Sequence, residues 1–261
     1  MSDYILQLED ISKFFGSVIA LGGVTLRLRR GEVHCLLGDN GAGKSTLIKT
    51  LAGVHTPDKG DYILEGKPVR FSSPREALDA GIGTVYQDLA LVPLMSVARN
   101  FFMGREPIRQ LFGFLPVMDH TLAARTAGDK LHDMGIRIRD ANQMVGTMSG
   151  GEKQCLAIAR AIHFGAKVLI LDEPTAALGV KQSANVLKLI ATARARGISV
   201  IFITHNVNHA YPIADSFTLL NRGKSLGTYL KKDVSKEEVL DMMAGGEEMQ
   251  KLMADLEGVT I

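Results

Sequence analysis

Two cysteines in 261 residues, Cys35 and Cys155, form no spacing pattern for a disulfide framework or a zinc site, which fits a reducing compartment. Long apolar runs are missing too. Stretches such as Val168–Leu171 and Val200–Ile203 are far too short to span a bilayer. If the chain serves a membrane process, another chain is expected to supply the membrane part. The opening residues, Met1 to Asp10, lack the basic and long apolar regions of a signal peptide. No excess of one charge exists either: the net charge is +2, so bulk electrostatics imply no polyanionic partner and no nucleic acid. His34, His55, His120, His132, His163 and His209 share no ligand-like spacing. There is no internal repeat or low-complexity segment. What remains is an ordinary globular composition, 46% hydrophobic and 22% charged, long enough for one large domain or two small ones.

One stretch organises the rest, from His34 to Leu47. A short apolar run leads in as a buried strand, and Ser45–Ala52 reads as a helix. Between them Gly38, Gly43, Lys44 and Ser45 fill the four fixed places of G-x-x-x-x-G-K-S. Glycines let the backbone fold so that its N–H groups point inward at a polyphosphate. The helix behind adds the partial positive charge of its N-terminus. Lys44 is placed to reach the β- and γ-phosphates and the Ser45 hydroxyl to ligate Mg²⁺, with Asp39, Asn40, Gly41, Ala42 and Thr46 completing the cradle. The pattern predicts a nucleoside triphosphate site.

Along the chain, residues 4–11 alternate as a strand, 12–16 break it, and 18–28 resume it with a bulge or turn at Gly22-Gly23. Residues 61–65 and the Gly66-Lys67 turn predict an antiparallel hairpin. Ser73-Pro74-Arg75-Glu76 has the form of a helix start. A strand at 82–86 ends at Gln87. From 88 to 163 the texture becomes helical, notably at 119–134 and 149–162, with 104–116 irregular. Strands return at 167–171 and 198–203, separated by a helix at 181–196. A helix at 206–213 and a hairpin, 217–220 with 226–230, follow. Arg27, Arg29 and Arg30 read as a solvated turn. The tail from Ser235 to Leu256 sets Leu240, Met243, Met249, Leu252, Met253 and Leu256 at helical spacing, as in a core-facing helix. Alternating strands and helices predict a mostly parallel α/β sheet.

Two further stretches bear chemistry. The apolar strand 168–171 ends in Asp172-Glu173, an acidic turn by itself. Behind a phosphate loop, Asp172 becomes the magnesium-holding carboxylate and Glu173 a base or orienting group for water. Ser149-Gly150-Gly151 opens a helix and is a second anion site for the same reason as the first, although a simple capped helix has the same signature. Gln87 and His205 stand at strand ends, where either is also an ordinary polar terminus.

Together these motifs make the chain resemble the ATP-binding subunit of an ABC transporter. Residues 38–45 match the Walker A motif, 168–173 Walker B with its adjacent glutamate, Gln87 the Q-loop, Ser149-Gly150-Gly151 the signature, and His205 the H-loop. Phe15 stands where the family has an adenine-stacking aromatic, with Phe14 beside it as the other choice. The resemblance implies a P-loop NTPase, RecA-like core at 1–87 and 164–230. It also implies an N-terminal antiparallel β region, an inserted helical subdomain at 88–163 and a helical tail at 231–261. It further implies ATP and Mg²⁺ as ligands, with Ser45, Gln87 and Asp172 on the metal, and Lys44, Gln87, Glu173 and His205 acting in hydrolysis. Two copies would dimerise head to tail, each sandwiching ATP between its Walker A and the partner's signature.

Residues 85–93, 100–106 and 172–179 narrow the likeness to monosaccharide importers of the ribose/fructose type. That implies separate integral membrane permease subunits, a periplasmic-type sugar-binding protein, and a peripheral place on the cytoplasmic face of the membrane. A soluble ABC-type ATPase acting on DNA or ribosomes, or a subunit for another solute, is the alternative. Three departures from the family pattern stand out: Met148 replaces leucine, Glu152 puts a charge beside the second anion site, and Gly179 replaces the usual aspartate.

Overall fold

The computed structural model describes residues 3–244. Its centre is a six-stranded sheet built on β3 (Val33–Leu37), with β10 (Ser199–Thr204), β9 (Val168–Asp172) and β6 (Ile82–Val85) on one side and β11 (Ser216–Asn221) and β12 (Lys224–Leu230) on the other. All neighbours pair in parallel except β12, which returns antiparallel from β11. A second, antiparallel sheet carries β1 (Tyr4–Phe15), β2 (Val18–Arg29), β4 (Lys59–Leu64) and β5 (Lys67–Pro68) in the order β2-β1-β4-β5. The short helix α2 (Pro74–Asp79) starts where its sequence signature lies, with the Ser73 side chain accepting from the Glu76 N–H.

Strand alternation divides the core in two. Val33, Cys35, Leu37, Leu169, Leu171, Val200 and Phe202 face helices α3 (Val97–Phe102), α5 (Gly150–His163) and α6 (Val180–Ala195). Leu36, Ile170, Ile201 and Ile203 face the antiparallel sheet and α1 (Lys44–Leu51). Each such side chain, removed from water, stabilises the fold by roughly 1.5–3 kcal/mol. Because successive strand residues point to opposite faces, one apolar run serves both layers.

His34 lies within this sheet as a satisfied core residue: its Nδ1 and Nε2 sit 2.7 and 2.9 Å from the Ser216 and Thr218 hydroxyls. Ser216 donates to Glu32, whose other oxygen accepts from the Arg29 N–H. Burial alone would raise the Glu32 carboxyl, but these bonds and nearby His34 hold it down at about 2.

Several segments differ from the sequence expectation. β1 does not break at 12–16 but continues to Phe15, absorbing its irregularity as shifts in register after Leu8 and a positive φ of 52° at Asp10. Arg27 and Arg29 lie on β2, pointing away from buried Leu26 and Leu28, and Arg27 grips Glu9 with both ends of its guanidinium at 2.7 and 2.9 Å. The stretch around 104–116 is not irregular: β7 (Ile108–Leu111) and β8 (Leu115–Met118) form a hairpin around Phe112-Gly113-Phe114. It leads into α4 (His120–Asp133), capped by Asp119. The helix after His205 is short, α7 (Val207–Ala210), because Pro212 has no N–H with which to continue its hydrogen bonds. In α8 (Lys236–Met243) Val239 is buried and Met243 packs against the core as expected, with Met242 beside it, whereas Leu240 is exposed, so the apolar face is only partly the expected stripe. Met249, Leu252, Met253 and Leu256 lie outside the described residues.

Candidate active site

Two glycines of the loop from β3 to α1, Gly38 and Gly43, sit where a side chain has no room. A Cβ on Gly38 would collide with the Leu220 carbonyl oxygen, and Gly43, at φ 102°, sits against the Ala20 carbonyl. Helix α1 starts at Gly43 with no side-chain cap and no acid in its first turn, so its leading N–H groups remain available to an anion. Lys44 is buried, its ammonium held 2.5 and 3.0 Å from the carbonyls of Gly38 and Asp39. Those are bonds a phosphate can replace.

This loop opens on a cleft of about 540 Å³ that brings together Asp39, Asn40, Gly41, Gly43, Lys44, Ser45 and Thr46 with Gln87, Asp172 and Glu173. They come from separated parts of the chain. β10 lies between β3 and β9, so parallel strands end side by side and deliver loop and acids to one rim. Val18, Ile19, Ala20 and Arg222 complete the lining with Gly223. Sequence reading missed Arg222, which enters because the β11–β12 turn folds over the loop, with the Gly223 N–H donating to the Ala42 carbonyl at 2.9 Å.

The two acids differ in setting. Half-buried Asp172 has its carboxyl pushed up, first by burial and then by Glu173, with Lys44 pulling the other way. Such a carboxylate gains from an adjacent cation. Ser45, Gln87 and Asp172 offer a hydroxyl, an amide oxygen and a carboxylate in one cleft, hard donors that suit Mg²⁺. Among the described residues, no three His, Cys, Asp or Glu cluster as a self-contained metal site.

Glu173 adopts φ 46°, a left-handed conformation costing a non-glycine residue about 1–3 kcal/mol. Three bonds hold its carboxylate: from the Thr204 hydroxyl at 2.8 Å, the His205 N–H at 3.0 Å and His205 Nδ1 at 2.7 Å. His205 itself is largely exposed and reaches the cleft through Glu173. Thr204, fully buried, orients the Glu173 carboxylate through its hydroxyl and was not flagged by the sequence; only its neighbour His205 carried a signal. Thr204→Val removes both the bond to Glu173 and the acceptor of the Asn206 N–H. It is expected to lower kcat about tenfold, mainly through the lost bond to the charged group, with KM for ATP unchanged and Thr204→Ser restoring the rate. A lower kcat accompanied by a raised KM would instead mark Thr204 as structural.

Other expected residues lie elsewhere. Ser149 caps α5, and Gly151 packs against Gln182. Ser149, Gly151 and Glu152 line a different cleft, of about 640 Å³, that shares no residue with the first. Glu152 closes a capping box, accepting from the Ser149 N–H at 2.7 Å while Ser149 Oγ accepts from its own N–H. Its charge is thereby committed to the helix end. Gly179 is the N-cap of α6 with open space around it. Phe15 is exposed near the tip of the β1–β2 hairpin, edge-on to His55, and does not line the 540 Å³ cleft; Val18 and Ile19 do.

A phosphate loop and an acid pair at the ends of two strands that flank a third in a parallel sheet define a P-loop nucleoside triphosphatase. Residues 21–176 match the family model described as ABC transporter. The chain is 43% identical over 243 residues to the xylose/arabinose import ATP-binding protein of Sulfolobus acidocaldarius, covering 93% of this chain and 94% of that one. It is 44% identical over 248 residues to the fructose import ATP-binding protein of Rhizobium meliloti, covering 94% and 95%. A ribose/galactose/methyl galactoside relative from Burkholderia lata is 40% identical, but the matched region is only 46% of its length. Among solved structures, an ATP-binding cassette of an ABC transporter in its ADP conformation superposes with a TM-score of 0.81 at 23% identity, over 97% of this chain and 99% of that one. A dimeric post-hydrolysis cassette bound to ADP and Pi gives 0.72 at 24% identity, over 88% and 100%. These likenesses show the fold. The chain belongs to the ABC transporter ATP-binding family, and ATP hydrolysis is its reaction.

Proposed function

We propose that this chain powers a monosaccharide importer, as a head-to-tail pair of copies bound to separate membrane permeases. The observation that carries the pairing is the separation of the two anion-binding helix ends. α1 opens on one cleft and α5 on another, so one chain presents both halves of a nucleotide sandwich without joining them. A second copy brings its Ser149–Gly151 to the first copy's Lys44. The sugar assignment is supported by relatives named for xylose/arabinose and fructose import that match over nearly their whole length.

In this reading water attacks the γ-phosphorus as its proton passes to the Glu173 carboxylate, and the bond to the β-phosphate oxygen breaks. Lys44 and the N–H groups of α1 neutralise the charge that develops, and His205 and Thr204 hold Glu173 in place. A magnesium ion on Ser45, Gln87 and Asp172 would add positive charge at the phosphates.

Gln87 lines the nucleotide cleft while its neighbours Tyr86 and Asp88 line a second groove of about 280 Å³, with Leu78, Leu89, Met103 and Phe164. That mostly apolar groove lies between the α/β core and the segment 88–163, which we take as the inserted subdomain, and it suits a permease segment. No helix among the described residues is long and apolar enough to cross a membrane. In this reading the protein sits peripherally on the cytoplasmic face, held there by the permeases. The test is reconstitution with a candidate permease pair and a sugar-binding protein in vesicles. Sugar-loaded binding protein is expected to raise ATP turnover severalfold. Turnover raised by duplex DNA or ribosomes and indifferent to the permease would replace this reading with a soluble ATPase.

A further inference from the structure

The β7–β8 hairpin exposes apolar side chains that nothing in the ATPase site uses. Phe112 is 80% exposed, Phe114 77%, Ile108 65% and Leu115 46%. Among the described residues its strands pair only with each other, with Ile108 opposite Met118 and Leu111 opposite Leu115, and a lone two-stranded hairpin is marginal in water. Between 108 and 118 the only charged residue is Arg109. The base of the hairpin is held firmly. The Asp119 N–H donates to the Pro107 carbonyl at 2.8 Å, while Arg105 bonds Asp79 at 3.2 Å and lies 5.2 Å over the Phe164 ring. An anchored, projecting tip with two bare phenylalanines is a docking device rather than a loose end.

We propose that the Phe112-Gly113-Phe114-Leu115 tip inserts directly into the interfacial region of an anionic bilayer, with Arg109 on the lipid phosphates. The two rings offer roughly 300–500 Å², short of the ~800 Å² per partner of a stable protein interface. A bilayer needs no matching surface and takes up a convex apolar tip. Strands and turn, 108–118, carry one cation and no acid, and the Asp119 carboxylate at the base is engaged by the Leu122 N–H, a balance that complements anionic headgroups. Placement agrees: Met103 and Arg105, which line the groove assigned above to the permease, precede the hairpin by only a few residues. The inference rests on that importer reading for a membrane to be near, and it adds a contact made by the chain itself.

The chain contains no tryptophan, so Phe114→Trp introduces a single indole reporter. Adding vesicles of phosphatidylethanolamine with phosphatidylglycerol to this full-length variant, without permease, is expected to shift its emission to the blue. Neutral phosphatidylcholine vesicles should do so less, and Leu226→Trp on β12 should not respond. In flotation with the anionic vesicles, Phe112→Ser/Phe114→Ser should bind about tenfold more weakly than wild type, and Arg109→Gln severalfold more weakly, both with unchanged ATP turnover in solution. An unshifted emission from the Phe114→Trp variant overturns the proposal, as does a double-serine variant that floats like wild type. Loss of permease binding in that variant without any vesicle binding by wild type also overturns it, and assigns the tip to a protein partner. Flotation is independent of the reconstitution assay, so failure of the importer reading and failure of the lipid contact are told apart.

Discussion

Glu173→Gln is expected to lower ATP turnover by about 10²–10⁴-fold while leaving ATP binding intact, the range lost with a general base. The amide matches the carboxylate in size and leaves the surrounding packing in place, so nucleotide entry is preserved. It cannot take the proton of the attacking water. One carboxylate near the phosphates is also neutralised, which favours the bound state. The variant should therefore accumulate with ATP as a dimer that elutes earlier in size exclusion, whereas wild type with ATP returns to monomer as it hydrolyses. Turnover near the wild-type rate would remove Glu173 from the chemistry and shift attention to His205, with which it shares a 2.7 Å contact.

Mixing two crippled proteins gives the second large effect. Lys44→Ala removes the buried ammonium of the phosphate loop, and Ser149→Ala removes the hydroxyl that caps α5. In a head-to-tail pair each nucleotide is held by the Lys44 of one copy and the Ser149 of the other. A mixed dimer of the two variants then contains one site with both defects and one site with neither. Equal mixing yields half mixed dimers, so about a quarter of the wild-type rate should return if sites act independently. If one chain carried its whole site, the mixture would recover nothing. Ser149→Ala also removes an N-cap, at about 1 kcal/mol, so its melting temperature is to be measured beside its activity. Restored activity in the mixture separates a folded variant with a broken site from an unfolded one.

The phosphate loop was legible because its demands are local. Gly38 and Gly43 are dictated by backbone approach and positive φ, and Lys44 and Ser45 follow within two residues. Val168–Asp172 was equally plain, an apolar run ending in acids. Ser149 and Glu152 carry the spacing of a capping box, so the Glu152 charge that looks costly beside an anion site instead serves the helix's own N–H groups. The β7–β8 hairpin leaves little sequence signal because its strands are four residues each and mostly exposed, with only Val117 and Met118 half-buried, and lack the alternation that a buried face imposes. Phe15 was placed by motif position, while the cleft itself is lined by Val18 and Ile19.

Sequence alone determined the family, the triphosphate chemistry and the candidate catalytic groups, since each rests on residues spaced along one turn, strand or helix end. Tertiary structure alone decided which of them meet. Strand order set the acids beside the phosphate loop and aimed Thr204 at Glu173, and it put Ser149 in a different cleft. Contacts across a sheet depend on which strands become neighbours, and spacing along the chain does not encode that.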